Sequence, residues 1–351
     1  MKITSRHVKA LVSIAFLVML FAIVRRGDFA KLFRNINPLY FVLSFAIAAA
    51  QISTSCLKWQ VLVNLHERKL GFRFLMKNYL IGYYFSNLLP SNVGGDVVRS
   101  YHVGRHIGSQ THAAISVFIE RFTGMMYMLF LVIFMPLLVP GLYRQPAVIV
   151  ASSVAVGLLA GLVWIAAIDR PLARVIDIAV RMIRTVRSAG GPMKAPFAQK
   201  ALERLEGICL KVLRKAESIH EKLSATVGLL RKDARAFAAM ILLTVLFYAL
   251  TWVNVYWAYR TFGVQAPFRG IVSLLATAML VGSIPITLGS LGIVEGSYVY
   301  FFGLVGVAPA ATLLMGLFLR FKLIVVGIIG FFNYLTYRHE KYDYAKLEEQ
   351  P

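Results

Sequence analysis

The sequence predicts an all-α fold: a polytopic membrane helix bundle of about six full spans plus two re-entrant or broken hairpins. Three observations carry the prediction. Of 351 residues, 58% are hydrophobic, and the mean hydropathy is +0.69, against roughly 45–50% apolar residues in an ordinary soluble domain. Apolar runs long enough to cross about 30 Å of hydrocarbon recur along the chain. The basic residues that give a formal charge of +22 fall mainly between those runs, the pattern of cytoplasmic loops facing anionic headgroups.

Taken in order, the expected spans are about 9–24, 38–57, 113–139, 147–168, 236–258 and 309–335, each apolar and flanked by polar or charged residues. The first follows a basic start (Lys2, Arg6, Lys9) and is followed by Arg25 and Arg26 with no small-residue cleavage site, so it reads as an uncleaved span rather than a removed signal peptide. Cys56 lies in an apolar run and Cys209 in a basic loop, which gives neither a disulfide nor a metal framework.

The organisation expected is a single integral membrane domain, 1–351, carrying a cytoplasmic basic helical insertion at 169–235. That insertion holds 15 Lys and Arg against 7 Asp and Glu. Its apolar positions Leu202, Leu205, Cys209, Val212 and Leu213 recur at helical spacing, and Gly190-Gly191-Pro192 divides it. A basic amphipathic helix on the inner leaflet, held by anionic lipids, is the expected arrangement. The charge of this loop places it inside, and six spans then put both basic termini in the cytoplasm. The loop 25–37, with Arg25, Arg26, Lys31 and Arg34, falls outside on this count and runs against the rule.

Two apolar stretches are interrupted. The first, about 74–92, runs into Asn87-Leu88-Leu89-Pro90-Ser91-Asn92-Val93-Gly94-Gly95-Asp96; the second, about 268–306, contains Pro285-Ile286-Thr287-Leu288-Gly289-Ser290-Leu291-Gly292-Ile293-Val294-Glu295-Gly296. Proline removes an amide and bars helix before it, and glycine admits angles that other residues resist. Non-helical backbone at membrane depth is tolerated only under protein or beside a water-filled cavity. Each break ends in an acid, Asp96 or Glu295. Corresponding breaks in two halves of a chain point to a midplane site in transporters built from inverted repeats.

Ionisable groups at membrane depth cost at least ~2.5 kcal/mol each on insertion scales. The set here is Asp96 and Arg99, Glu120 and Arg121, Glu295, Arg320 and Lys322. Asp96, Arg99 and Glu295 sit beside broken backbone, where an arginine can hold a phosphate in bidentate fashion and the amides near Val93-Gly94-Gly95 can form an anion nest. Glu120–Arg121 and Arg320–Lys322 fit structural pairing and ligand contact about equally. His102 and His106 have helical i, i+4 spacing, but no third ligand accompanies them, and solvated interfacial histidines are expected rather than a metal. Serine-hydrolase, Walker, zinc-protease and dinucleotide signatures are all missing, so neither a cofactor nor an enzymatic activity is expected. No zinc-finger or RNP-type pattern points to nucleic acid.

The Gly94-Gly95-Asp96-x-x-Arg99 element, then Glu120-Arg121, then the Pro285…Gly289…Gly292…Glu295-Gly296 element resemble, in order and spacing, the lysylphosphatidylglycerol synthase transmembrane (flippase-like domain) family. Ser290 departs from it, standing where the family often has a second glycine. The chain ends about 15 residues after its last span, so the aminoacyl-transfer activity in the family's name is not expected. The resemblance implies a translocase moving an anionic phospholipid, or a lipid-linked or isoprenoid substrate, across a bacterial or archaeal cytoplasmic membrane. The expected substrate-binding residues are Asn92, Gly94, Gly95, Asp96, Arg99, Glu120, Arg121, Pro285, Gly289, Gly292 and Glu295, with a homo-oligomer possible. Two other classes stand beside it. One is an intramembrane enzyme using Asp96 and Glu120 as acid and base. The other is a non-transporting scaffold acting through 169–235.

Overall fold

The computed structural model describes residues 34–65, 69–88, 93–167, 232–284 and 290–339, with residues 181, 185, 228 and 287 besides. The first expected span, 9–24, and nearly all of the 169–235 insertion lie outside the described residues. Every regular element described is helical: α1 (Pro38–Val63), α2 (Phe72–Leu88), α3 (Gly94–Ile107), α4 (Gln110–Phe134), α5 (Pro146–Ala167), α6 (Ala234–Thr261), α7 (Phe268–Gly282), α8 (Ile293–Gly303) and α9 (Pro309–His339), with two 3-10 turns between α4 and α5. The chain divides into two compact units, the first made of Met1–Gly157 with Arg235–Pro351 and the second of Leu158–Ala234. Everything below concerns the first unit.

Among the described residues, four stretches are long and apolar enough to cross a membrane: Pro38–Val63, Gln110–Leu138, Ala234–Thr261 and Pro309–Thr336. They correspond to four of the six expected spans. α5 covers the fifth and is apolar over Pro146–Leu162. The helix ends have local causes. Asn37 precedes Pro38 and its Oδ1 accepts from the Leu39 and Tyr40 amides at 3.0 and 3.3 Å, a cap with proline already set for the first turn. Ser109 caps α4 through the His112 amide, and Gly108 ends α3 at φ 75°. The faces are inverted relative to a soluble bundle. Phe118, Met125, Phe130 and Phe134 on α4, and Ile328, Ile329 and Phe332 on α9, are exposed, whereas Lys58, Arg99, Glu120, Glu295 and Lys322 are buried. Lipid as the solvent explains both halves of that pattern.

The breaks divide the two interrupted stretches as expected. At about 1.5 Å per residue, the 17 residues of α2 and 14 of α3, like the 15 of α7 and 11 of α8, are each too short to cross about 30 Å. Each pair folds back as an antiparallel hairpin. Gly82 and Gly95 let α2 and α3 touch: a Cβ on Gly95 would meet the Gly82 carbonyl carbon at 2.8 Å. Gly282 lies against Val294 at the break of the second hairpin, while Gly270 lies against Val305 at its open end. The Ser297 hydroxyl donates across it to the Ala278 carbonyl at 2.9 Å.

The hairpins enter from opposite ends of the bundle. The start of α1 meets the end of α6, where the Asn37 amide donates to the Thr261 carbonyl at 2.8 Å, and the Tyr259 hydroxyl joins Thr312 near the start of α9 at 3.0 Å. The end of α1 meets the start of α4, where a His112 ring nitrogen lies 3.1 Å from the Val63 carbonyl, and Gln60 donates to the Leu70 carbonyl just before α2. α2 and α3 therefore leave from and return to the α1 C-terminal end, and α7 and α8 the other. The series α1, hairpin, α4 and the series α6, hairpin, α9 are the same arrangement turned upside down.

Candidate functional site

The charges gather at the hairpins. Asp96 is the third residue of α3, counted from Gly94, and Arg121 the twelfth of α4, counted from Gln110. Glu295 is the third residue of α8, counted from Ile293, and Arg320 the twelfth of α9, counted from Pro309. The Arg121 guanidinium donates to both Asp96 oxygens at 2.9 and 3.0 Å. The Arg320 Nε donates to Glu295 Oε1 at 2.8 Å. Both pairs span 25 residues, so one inverted repeat places the same acid–arginine bond in each half.

Around the first pair the sequence adds a second. Glu120 and Arg121, adjacent on α4, turn to different partners. Glu120 Oε2 accepts from Arg99 at 2.7 Å, and its Oε1 accepts from the Tyr79 hydroxyl at 2.9 Å. Arg99 also reaches Asp96 at 2.9 Å. The Arg99 guanidinium lies against the rings of Trp59 and Tyr79, at 4.6 and 4.5 Å from their centroids, and those rings themselves touch at 5.9 Å, a setting suited to its planar, weakly hydrated cation. Trp59 is fixed in turn by its Nε1 donating to Ser116 at 3.0 Å. Lys58 donates to the Glu120 backbone carbonyl at 3.0 Å, beside Gly124. Arg99 is 2% exposed and Glu120 6%. Arg121 is 60% exposed, so only this edge of the cluster faces outward.

Glu295 holds its own hairpin break. Its Oε2 accepts from the Gly292 amide at 2.8 Å, closing the first turn of α8, and Gly292 takes φ 85° there. That left-handed angle, with Ser290 at φ 54°, is what the glycine in the break supplies.

Between the two hairpin tips lies a cavity of about 780 Å³. Tyr83, Ser86 and Asn87 from α2 line it, as do Gly282, Ser283, Ser290 and Glu295 from the second hairpin, with Arg320 and Lys322 of α9. Gln51 of α1 and Thr251 and Asn254 of α6 add a polar wall. Leu88, Leu323 and Ile324 line it too and are exposed on the outer surface. α2 is seated against α9 by Asn87, which donates to the Leu323 carbonyl at 2.8 Å, and by Gly330, which has no room for a Cβ beside the Leu80 carbonyl.

The expected site residues thus fall into two groups. Asp96, Arg99, Glu120 and Arg121 are brought together, with one another. Glu295 reaches the cavity, and Gly292 caps its helix. Gly95 is spent on the α2–α3 crossing, and Gly94 begins α3. Asn92, Pro285 and Gly289 lie outside the described residues. Arg99, expected to face a headgroup, instead lies against two rings and two carboxylates and is not on the cavity wall. Sequence reading missed Lys58, Trp59, Tyr79, Gln51, Thr251 and Asn254. A lysine inside an α1 run otherwise long enough to span was the available signal; the neutral polar residues carried none. Among the described residues no group of three or more His, Cys, Asp or Glu is placed to hold a metal.

The sequence profile of the lysylphosphatidylglycerol synthase TM region matches residues 7–330. A UPF0104 membrane protein of Methanothermobacter thermautotrophicus is 24% identical over 308 residues, 86% of each chain. A second from the same organism is 24% identical over 306 residues, 85% of this chain and 82% of its own. A UPF0104 membrane protein of Methanocaldococcus jannaschii is 23% identical over 105 residues, 30% of this chain and 31% of its own. No solved structure matches.

Proposed function

This chain belongs to the lysylphosphatidylglycerol synthase TM-region family and is a multi-pass membrane protein, and from that premise we propose that it moves a lipid between the two leaflets. The observation that carries the reading is the cavity where the tips of two oppositely directed hairpins meet. A lipid crossing the hydrocarbon needs a polar shelter for its headgroup, because a charge at the bilayer centre is costly. The wall of Gln51, Thr251, Asn254, Glu295, Arg320 and Lys322 offers one. It needs no shelter for its acyl chains, and Leu88, Leu323 and Ile324 open the cavity toward lipid. Two short helical hairpins, each pinned by one acid–arginine pair, are the elements able to yield in turn and expose the cavity to either side. The excess of Lys and Arg in the 169–235 sequence and in the tail supports entry of the α2–α3 hairpin from the cytoplasmic side.

The reading as an intramembrane enzyme is less well supported. Asp96 and Glu120, its acid and base, are both engaged by arginines and lie off the cavity wall. The test is purified protein in liposomes carrying fluorescent lipids in both leaflets, with an impermeant quencher reporting the exposed fraction. Accelerated exchange for at least one headgroup, slowed by Glu295→Gln, is expected. Rates equal to those of protein-free vesicles across neutral, zwitterionic and anionic lipids would refute translocation.

A further inference from the structure

Lys322 stands apart from the other buried charges. It lines the cavity and is 3% exposed. Its ammonium donates to the Ser44 hydroxyl at 2.7 Å, to the Ser44 carbonyl at 3.3 Å and to the Asn254 side-chain oxygen. All three acceptors are neutral, and among the described residues no carboxylate pairs with it. Arg99, Arg121 and Arg320 each hold an acid, and a guanidinium does not give up its proton in proteins. A lysine amine can. Lys58, the other buried lysine described, donates to the Glu120 backbone carbonyl and is not on the cavity wall.

The frame around Lys322 suits it with or without its third proton. As an ammonium it donates three bonds. As a neutral amine it keeps two N–H groups, for the Asn254 oxygen and the Ser44 carbonyl, and its lone pair accepts from the Ser44 hydroxyl, which has only to turn its hydrogen. Three hydrogen bonds are made in both forms. Ser44 is fully buried and its hydroxyl has no other partner among the described residues, so nothing holds that hydrogen elsewhere. The Asn254 oxygen is kept in place from behind. Asn254 Nδ2 donates to Gln51 Oε1 at 2.9 Å, Gln51 Nε2 donates to Thr251 Oγ1 at 2.6 Å, and Thr251 donates to the Phe247 carbonyl at 2.7 Å. The titratable and charged groups that share the cavity wall with Lys322 are Tyr83 of α2, Glu295 and Tyr298 of α8, and Arg320 of α9; α1 and α6 present only neutral groups there. Glu295 and Arg320 hold each other at 2.8 Å, and none of the four bonds to Lys322. We propose that Lys322 is a proton-binding site, loaded and unloaded through the cavity, and that it couples lipid movement to the passage of a proton. With the cavity open to one side, a proton from water adds to the Nζ lone pair and the Ser44 hydroxyl turns away. After the hairpins have exchanged access, that N–H bond breaks and the proton returns to water on the other side. No other covalent bond changes. The wall alternates between neutral and singly positive, a difference that the hairpins closing on it can read. The proposal rests on the translocase reading for the alternation and adds its energy source.

The experiment places the full-length protein in liposomes with fluorescent lipid in both leaflets and an impermeant quencher outside. Potassium and valinomycin clamp the membrane potential, a pH gradient is imposed, and protein-free vesicles give the baseline. For one proton per lipid, a gradient of about one pH unit is expected to drive up to about a tenfold excess of lipid into one leaflet, equivalent to about 1.4 kcal/mol. Reversing the gradient should reverse the excess, and nigericin should abolish it. Lys322→Arg carries a charge that cannot be given up, Lys322→Met carries none in a similar volume, and Asn254→Asp supplies a carboxylate that keeps the lysine charged. All three are expected to leave lipid evenly distributed under the gradient. Wild-type exchange that ignores the gradient overturns the assignment and leaves translocation standing. Exchange absent under every condition sinks translocation and the coupling with it. A response that survives in either Lys322 variant overturns the assignment. So does the loss of all exchange in the three folded variants, which would make Lys322 part of the lipid's path alone.

Discussion

Replacing Glu120 with Gln tests whether the paired charges of the first half are a fixed lock. The substitution keeps the shape of the side chain and its acceptor for Tyr79 but removes its charge. Arg99, 2% exposed, loses its partner at 2.7 Å and keeps only Asp96 at 2.9 Å, which it shares with Arg121. At an effective dielectric near 20 the lost attraction is roughly 6 kcal/mol. The desolvation no longer imposed on Glu120 offsets part of that, and the measured range for removing one member of a buried pair is about 3–5 kcal/mol. Arg99→Met alone should cost a similar amount. The double variant removes the orphaned cation and sets an apolar chain against Trp59 and Tyr79, so it should fall short of the sum by about 2–3 kcal/mol. The assay is equilibrium unfolding in mixed detergent micelles, followed by tryptophan fluorescence, since Trp59 stacks on the arginine. A Glu120→Gln protein within about 0.5 kcal/mol of wild type, or a double variant equal to the sum of the singles, would refute the lock.

Three further outcomes follow from named contacts. Gly95→Ala, whose Cβ would meet the Gly82 carbonyl carbon at 2.8 Å, should spread the α2–α3 hairpin and cost about 1–3 kcal/mol, read as a lowered thermal midpoint in detergent. Gly303→Ala, with nothing within 4 Å of the added carbon, is the matched control and should leave that midpoint unchanged. Gly292→Ala forces a side chain into φ 85° and should cost about 1–2 kcal/mol, with faster amide exchange in the first turn of α8 as its signature. Arg320→Gln leaves Glu295, 1% exposed, without its cation; lipid exchange in liposomes should fall at least tenfold, whereas Arg121→Gln, at a 60% exposed position, should cost less stability than Arg320→Gln.

Much of the fold was legible because lipid imposes simple rules. Span length, apolar outer faces and charge between spans are all readable one residue at a time, and α1, α4, α6 and α9 lie where those rules put them. The hairpins were legible from proline, glycine and a terminal acid for the same reason: broken backbone at membrane depth must be covered, and few residues can make it. What was not legible is which side of each helix a charge faces. Glu120 and Arg121 are neighbours in sequence and differ by about 100° around the helix axis, which sends one inward to Arg99 and the other out to Asp96. Arg99 was legible as a buried arginine but not as one held against Trp59 and Tyr79, since those rings come from α1 and α2. The cavity wall was the least visible part. Gln51, Thr251 and Asn254 are unremarkable in an apolar run and acquire meaning only when α1 and α6 bring them beside Lys322.

The repeat also explains why the two halves do different work. Adding 199 carries Asp96 to 295 and Arg121 to 320, an acid and an arginine again. The same shift carries Arg99 to Tyr298, Glu120 to Leu319 and Thr123 to Lys322. The second half therefore has the bond that pins its hairpin but no counterpart of the inner Arg99–Glu120 pair. Lys322, at the position that corresponds to Thr123, is buried on the neutral acceptors Ser44 and Asn254 instead. The two halves share the pin and differ in what stands behind it. Placing such a pair in the second half as well, by combining Tyr298→Arg with Leu319→Glu, tests whether that difference matters. Because Tyr298 and Leu319 both line the cavity, the added charges should fill it and slow lipid exchange in liposomes at least tenfold while the protein still elutes as a folded species. Unchanged exchange in a folded double variant would show that the difference between the halves has no part in transport.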